Sequence, residues 1–271
     1  MVFWPLTKTS GPNMPEIYPV SHFPSLERLA PKEVHVWAFN LSAPPDLFAR
    51  LESRLAGKER ERAARFRFDL HRERFIVGRG LLRELLGNYL DRDAEEIEFA
   101  YGAHGKPCLT GQQSPINLHF NLAHSESRAV VAITTAGAVG IDIEQIRNLS
   151  DADELVARFF SPRESRAFRS LPPEQRPLAF FNLWTRKEAW LKATGDGIGQ
   201  YLNQVEVSFL PGEPARLLTL PISFASGGRW SLSELAPPSG FVAALATTMD
   251  EPLVKCWDLE ADKVFNDSAY E

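Results

Sequence analysis

The segment Val139-Gly140-Ile141-Asp142-Ile143-Glu144 alternates apolar and acidic residues with the period of two that a β-strand imposes. On such a strand Asp142 and Glu144 share one face, while Ile141 and Ile143 enter the opposite layer. Two like charges side by side repel, and folding alone has no use for them. They are either a solvated strand edge or oxygen ligands for a hard divalent cation, typically Mg²⁺ where few carboxylates are offered. A cation that keeps open positions attracts phosphate.

A third acid follows in Trp184-Thr185-Arg186-Lys187-Glu188-Ala189-Trp190-Leu191-Lys192. Phe181, Trp184, Glu188 and Leu191 recur at helical spacing, so a helix is expected over 180–194, with Gly195 as its stop. Glu188 then lies on or beside the apolar stripe, and Lys192 follows one turn later. An i,i+4 surface pair is the plain reading of the two, but Trp184 argues against a fully wet face.

Upstream, a strand-like stretch over 116–120 leads into Asn121-Leu122-Ala123-His124-Ser125. Residues 129–135 run as a second strand to a turn at Ala136-Gly137, and this reads as a hairpin entering the acidic strand. His124 suits a hydrogen-bonded structural role as well as a chemical one. In Gly105-Lys106-Pro107 the glycine and proline fix a turn that holds out Lys106, a solvated loop lysine on the plain reading. Ser161-Pro162-Arg163-Glu164 is a helix start by capping box, which makes Glu164 a capping residue rather than a metal ligand.

The ordered set GKP, FNLAHS, GIDIE, FFSPRE and WTRKEAWLKATGDGI, spanning residues 105–198, resembles the Sfp-type 4′-phosphopantetheinyl transferases. The order and spacing together are far more specific than any single motif. The resemblance implies an enzyme that transfers the phosphopantetheine arm of coenzyme A to a serine of an apo carrier protein and releases adenosine 3′,5′-bisphosphate. It implies carrier domains of fatty-acid, polyketide and nonribosomal-peptide synthases as partners. Carried over by position, Asp142, Glu144 and Glu188 resemble the Mg²⁺ ligands, and Glu188 also the base for the carrier serine. Lys192 resembles the lysine that neutralises the departing bisphosphate. Lys106 and His124 look like further phosphate contacts, and Arg62 and Arg74 match positions that hold the 3′-phosphoadenosine end.

One departure stands out: Ala123 occupies a position where many relatives carry serine, so a hydroxyl contact to phosphate is expected to be missing. That residue is what would favour a catalytically silent carrier-binding relative. A magnesium-dependent phosphohydrolase using the same acids is the other alternative. Intact Asp142, Glu144, Glu188 and Lys192 favour the transferase over both.

Charge supports an anionic ligand. The chain carries 30 Lys+Arg against 35 Asp+Glu, which argues against general nucleic-acid affinity. From Lys58 to Arg83, nine basic residues face four acids, a local +5 against −10 elsewhere. Such a run is either a solvated helix face or a phosphate-binding surface, since arginine forks suit phosphate oxygens in pairs.

At 271 residues and 44% hydrophobic the chain can bury a substantial core and accommodate two modules of about 100–150 residues. The expected fold is α+β, with two similar modules, each a small antiparallel sheet packed with helices, related by a pseudo-two-fold. The expected division is a proline-rich extension over 1–31, a first module on the coenzyme A side over 32–136, a second module with the metal and catalytic residues over 137–250, and a tail over 251–271 with a short strand near 254–257. Strands are expected at 34–39, 96–101, 204–210, 229–235 and 241–247, and helices at 46–55, 58–68 and about 75–89. Cys108 and Cys256 suit ordinary reduced thiols, and no apolar run approaches the ~18 residues of a membrane span. A cytoplasmic monomer is the expectation.

Overall fold

The computed structural model describes residues 17–20, 29–110, 117–197, 201–225 and 229–261. The strands are β1 (Ile17–Val20), β2 (Glu33–Asn40), β3 (Phe99–Tyr101), β4 (Pro107–Leu109), β5 (His119–Ser125), β6 (Arg128–Thr134), β7 (Val139–Gln145), β8 (Glu206–Val207), β9 (Leu217–Thr219), β10 (Ser231–Leu235), β11 (Phe241–Thr247) and β12 (Leu253–Leu259). The helices are α1 (Pro45–Ser53), α2 (Gly57–Ala64), α3 (Asp69–Leu90), α4 (Ala152–Phe159), α5 (Pro162–Arg169), α6 (Arg176–Thr194) and α7 (Ile222–Ala225). The fold is α+β.

Two sheets pack face to face. One runs β1-β12-β2-β6-β5 and the other β10-β11-β7, with two small hairpins, β3-β4 and β8-β9, outside them. Period-two alternation sorts each strand between layers. Trp37, Phe39, Val131 and Ile133 join the core under α1 and α3. Their neighbours Val36, Ala38, Val130 and Ala132 meet Ile141, Ile143, Ala243 and Leu245 of the second sheet. Val242, Ala244 and Ala246 turn the other way, into the core built on α6. The order is helix, sheet, sheet, helix.

The β5–β6 hairpin is present, but β6 does not pair with β7. At the Ala136-Gly137 turn the chain crosses instead to the second sheet, where β7 pairs antiparallel with β11, Asp142 opposite Ala244. The described part of the expected tail, residues 251–261, holds a seven-residue strand, and residues 262–271 lie outside the described residues. β12 lies between β1 and β2, parallel to both. Trp257 stacks on Trp37 with centroids 4.7 Å apart, and Cys256 is buried in the layer between the sheets. Strand β12 therefore joins β1 to β2 within one sheet.

Several local boundaries moved for identifiable reasons. Helix α6 starts at Arg176, with Pro177 in its first turn, and stops at Gly195 with φ 80°. The capping box at Ser161 is formed, with Glu164 Oε2 accepting from the Ser161 N–H at 3.0 Å. The strand expected over 204–210 is cut to two residues: Gln204 and Val205 donate back to the Tyr201 carbonyl in a turn, and the Ser208 carbonyl accepts from Arg186 at 2.7 Å. The stretch 96–101 contains the end of a 3₁₀ turn, Ala94–Glu96, before β3.

Candidate active site

Helix α6 lies directly on β7, and the contact needs a residue without a side chain. A Cβ on Gly140 would stand 2.1 Å from the Ala189 carbonyl oxygen and 2.3 Å from the Ala193 nitrogen. That close approach brings Glu188 and Lys192, each one residue before a contact point, down onto the acidic face of β7. Lys192 Nζ reaches Asp142 Oδ1 at 2.5 Å. The plain i,i+4 surface reading of Glu188 and Lys192 gives way accordingly: Glu188 is 3% exposed and the lysine pairs with the strand.

The three acids act on one another. Burial, then the charge of Glu144, raises the Asp142 carboxyl to about 6 against the pull of Lys192. Burial, then Asp142 and Glu144, raises Glu188 to about 7. Burial alone would lower the Lys192 ammonium, but Asp142, Glu188 and Glu144 together hold it above its ordinary value. Asp142 Oδ2 and Glu188 Oε1 are both buried without a hydrogen-bond partner. Among the described residues no three His, Cys, Asp or Glu side chains stand in an arrangement that could hold a metal ion as they are. The set nevertheless fits a hard cation, with crowded carboxylates, all-oxygen donors and two buried oxygens lacking a donor.

Strand β5 forms the third wall. Asn121 Oδ1 accepts from the Ile141 N–H at 2.8 Å, and Ser125 Oγ accepts from the Gln145 N–H at 3.1 Å while donating to Glu144 Oε2 at 2.8 Å. Ala123, between them, is buried in the layer between the sheets. The alanine packs in that layer at 3% exposure.

His124 sits where charges of both signs meet. Desolvation, then Lys192 and Arg74, lower its imidazole, with Glu144 opposing and His71 adding a smaller push. Arg74 pairs with Glu126 at 3.3 Å. Arg62 lies over the Phe75 ring, 5.1 Å from its centroid, and is exposed. His71, three residues before Arg74 on α3, shares a helix face with it. Lys106 is used differently. Its ammonium donates to the Lys192 carbonyl at 2.6 Å, the Val139 carbonyl at 2.9 Å and the Ala193 carbonyl at 3.4 Å, pinning the end of α6 to the start of β7. Burial pushes it down to about 8.

Other charges in these motifs are structural. Lys187 is fully buried on Glu164 and the Leu202 carbonyl, both at 2.6 Å. Arg186 holds the Glu213 carbonyl at 3.0 Å and Glu234 at 2.9 Å. In the basic stretch, Arg79 and Arg83 are buried against Glu59 at 3.4 and 2.7 Å, with their guanidiniums over Phe99. Lys58, Arg60, Arg65 and Arg67 remain exposed.

Comparison with known proteins identifies the family of the chain. Residues 138–246 match the 4′-phosphopantetheinyl transferase superfamily, and residues 42–136 match the N-terminal region of a 4′-phosphopantetheinyl transferase. The chain is 44% identical over 214 residues to the 4′-phosphopantetheinyl transferase HetI of a Nostoc species, covering 79% of this chain and 87% of HetI. It is 29% identical over 158 residues to the 4′-phosphopantetheinyl transferase Sfp of Bacillus subtilis, covering 58% of this chain and 68% of Sfp. The chain belongs to the 4′-phosphopantetheinyl transferase superfamily, in its Sfp-type branch.

Proposed function

We propose that this chain performs the reaction of its family, moving the 4′-phosphopantetheine arm of coenzyme A to a serine of an apo carrier protein, with Mg²⁺ held by Asp142, Glu144 and Glu188. The observation that carries the metal assignment is the mutual strain of those acids around two unpartnered buried oxygens. When bound, Mg²⁺ would supply Lewis-acid neutralisation of pyrophosphate oxygens.

The residues of the chain divide the remaining work. Glu188, buried on α6 with one carboxylate oxygen lacking a hydrogen-bond partner, accepts the proton of the carrier serine hydroxyl, directly or through a water. The serine oxygen bonds to the phosphorus that bears pantetheine, and the bond from that phosphorus to the bridging oxygen breaks. The electron pair leaves with adenosine 3′,5′-bisphosphate, where Lys192, held cationic by the acids, offsets the new charge. Arg74, His124 and His71 border the phosphate path. Arg62 extends it outward, and Lys106 contributes by fixing α6 against β7.

The working division is a coenzyme A module over 32–136 and a catalytic module over 137–250, with β12 tying the second back to the first. A monomer suits this arrangement, since one chain supplies both halves. Among the described residues no helix is long and apolar enough to cross a membrane. Cys108 and Cys256 are unpaired, and a cytoplasmic setting is proposed.

Incubating the protein with coenzyme A, Mg²⁺ and an apo carrier domain, then weighing the carrier, tests the reading. A carrier that gains the arm upholds it. Coenzyme A breakdown without an adduct would assign a phosphohydrolase, and tight carrier binding with no mass change would assign a silent relative.

A further inference from the structure

Strand β7 is an edge strand: β11 satisfies one side of it, and its other side faces β5, which belongs to the other sheet. An edge N–H left without an acceptor is costly when buried. Here two side chains serve in place of a strand ladder. Asn121 takes the N–H of Ile141 and Ser125 that of Gln145, so a four-residue interval on β5 matches a four-residue interval on β7. Both residues are buried, at 5% and 7% exposure. The two bonds bracket Asp142 and Glu144. At the second, the same serine oxygen that accepts from the backbone donates to Glu144 Oε2, which fixes where that carboxylate points.

We propose that Asn121 and Ser125 form a clamp that sets the position of the acidic strand, and that Ser125 is a positioning residue for Glu144. The proposal rests on the metal reading given above. Asn121 fixes the backbone ahead of Asp142. Ser125 fixes both the backbone after Glu144 and one oxygen of its carboxylate. Arg147, 3.7 Å from the same Oε2 and half exposed, is too distant for a hydrogen bond and does not replace that contact.

Hydrogen-bond partners of a ligating carboxylate are worth about 10–100-fold in metal affinity. The test uses the full-length protein and Mn²⁺ as the ion, with free Mn²⁺ followed by electron paramagnetic resonance in the presence of coenzyme A. Ser125→Ala is expected to weaken Mn²⁺ binding about tenfold, and Ser125→Thr, which keeps the hydroxyl, to restore most of it. Asn121→Ala is expected to speed hydrogen exchange at the Ile141 amide. If Ser125→Ala does not fold, Ser125→Cys, with a similar volume and a weak donor, carries the same expectation of lost affinity. Wild-type affinity in a folded Ser125→Ala or Ser125→Cys protein would overturn the positioning role, and unchanged exchange at Ile141 in Asn121→Ala would overturn the clamp. Failure of the wild-type protein to bind Mn²⁺ would instead overturn the metal reading beneath it.

Discussion

The Lys192 ammonium lies 2.5 Å from Asp142 Oδ1, so a cationic side chain from α6 offsets the acidic face of β7 from within the fold. Asp142 is almost wholly buried, while Lys192 retains about a third of its side-chain exposure. Removing the lysine leaves a buried acid without its counter-charge, a change that costs about 3–5 kcal/mol in fully buried pairs and less here because Lys192 is partly exposed. Lys192→Met should therefore lower the stability of the metal-free protein by about 1–3 kcal/mol at pH 8. Added Mg²⁺ should raise its melting temperature more than that of the wild type. Equal shifts in the two proteins would separate Lys192 from the metal site.

Glu188 provides a test with a sign. Its folded-state carboxyl is raised from 4.5 to about 7, so the folded protein prefers the protonated form and loses stability as pH rises from about 4.5 through 7. Glutamine carries no such penalty. Glu188→Gln should be more stable than the wild type by about 2 kcal/mol at pH 8 without metal, with the gap closing toward pH 4.5. Transfer should fall by at least about 100-fold. Chemical denaturation at the two pH values checks the first part, and carrier mass the second.

Gly140 is the contact that lets α6 reach β7. Alanine would place a methyl carbon 2.1 Å from the Ala189 carbonyl oxygen, and backbone atoms cannot yield as a flexible side chain would. Gly140→Ala should cost about 3 kcal/mol or more in urea unfolding and reduce transfer together with stability. A stable, active variant would mean that α6 can slide without loss.

Arg74 and Lys106 both matched coenzyme A positions in sequence, but the structure separates their effects. Arg74→Ala should raise KM for coenzyme A about tenfold with little change in kcat. Lys106→Met strips donors from three carbonyls and should lose about 2 kcal/mol of stability. Steady-state kinetics beside melting curves distinguishes these outcomes, and reversed behaviour would exchange the two roles.

These particulars show what local pattern can carry. The face shared by Asp142 and Glu144 follows from strand periodicity, and the closeness of Glu188 to Lys192 from helical spacing, so both were legible. The capping role of Glu164 was legible as well, because its cap partner Ser161 lies three residues away, whereas its contacts with Lys187 and the Val207 N–H, 23 and 43 positions away, were not. Lys106 and Ser125 were not, since their partners are backbone groups and a carboxylate 19 to 87 positions away. Nor was the place of β12: a parallel pairing between the two ends of a chain leaves no local signal, only an apolar stretch with a tryptophan. The inward turn of Ala123 was hidden for the same reason, because which side of β5 meets the second sheet is decided by tertiary packing.

The most direct test is a crystal structure of the protein with coenzyme A and Mn²⁺, reading the anomalous signal of the metal. One peak is expected, bounded by carboxylate oxygens of Asp142, Glu144 and Glu188 and by the pyrophosphate, at metal–oxygen distances near those of a hard octahedral ion, about 2.0–2.2 Å. A peak elsewhere, or coenzyme A bound with its pyrophosphate away from these three acids, would contradict the metal assignment.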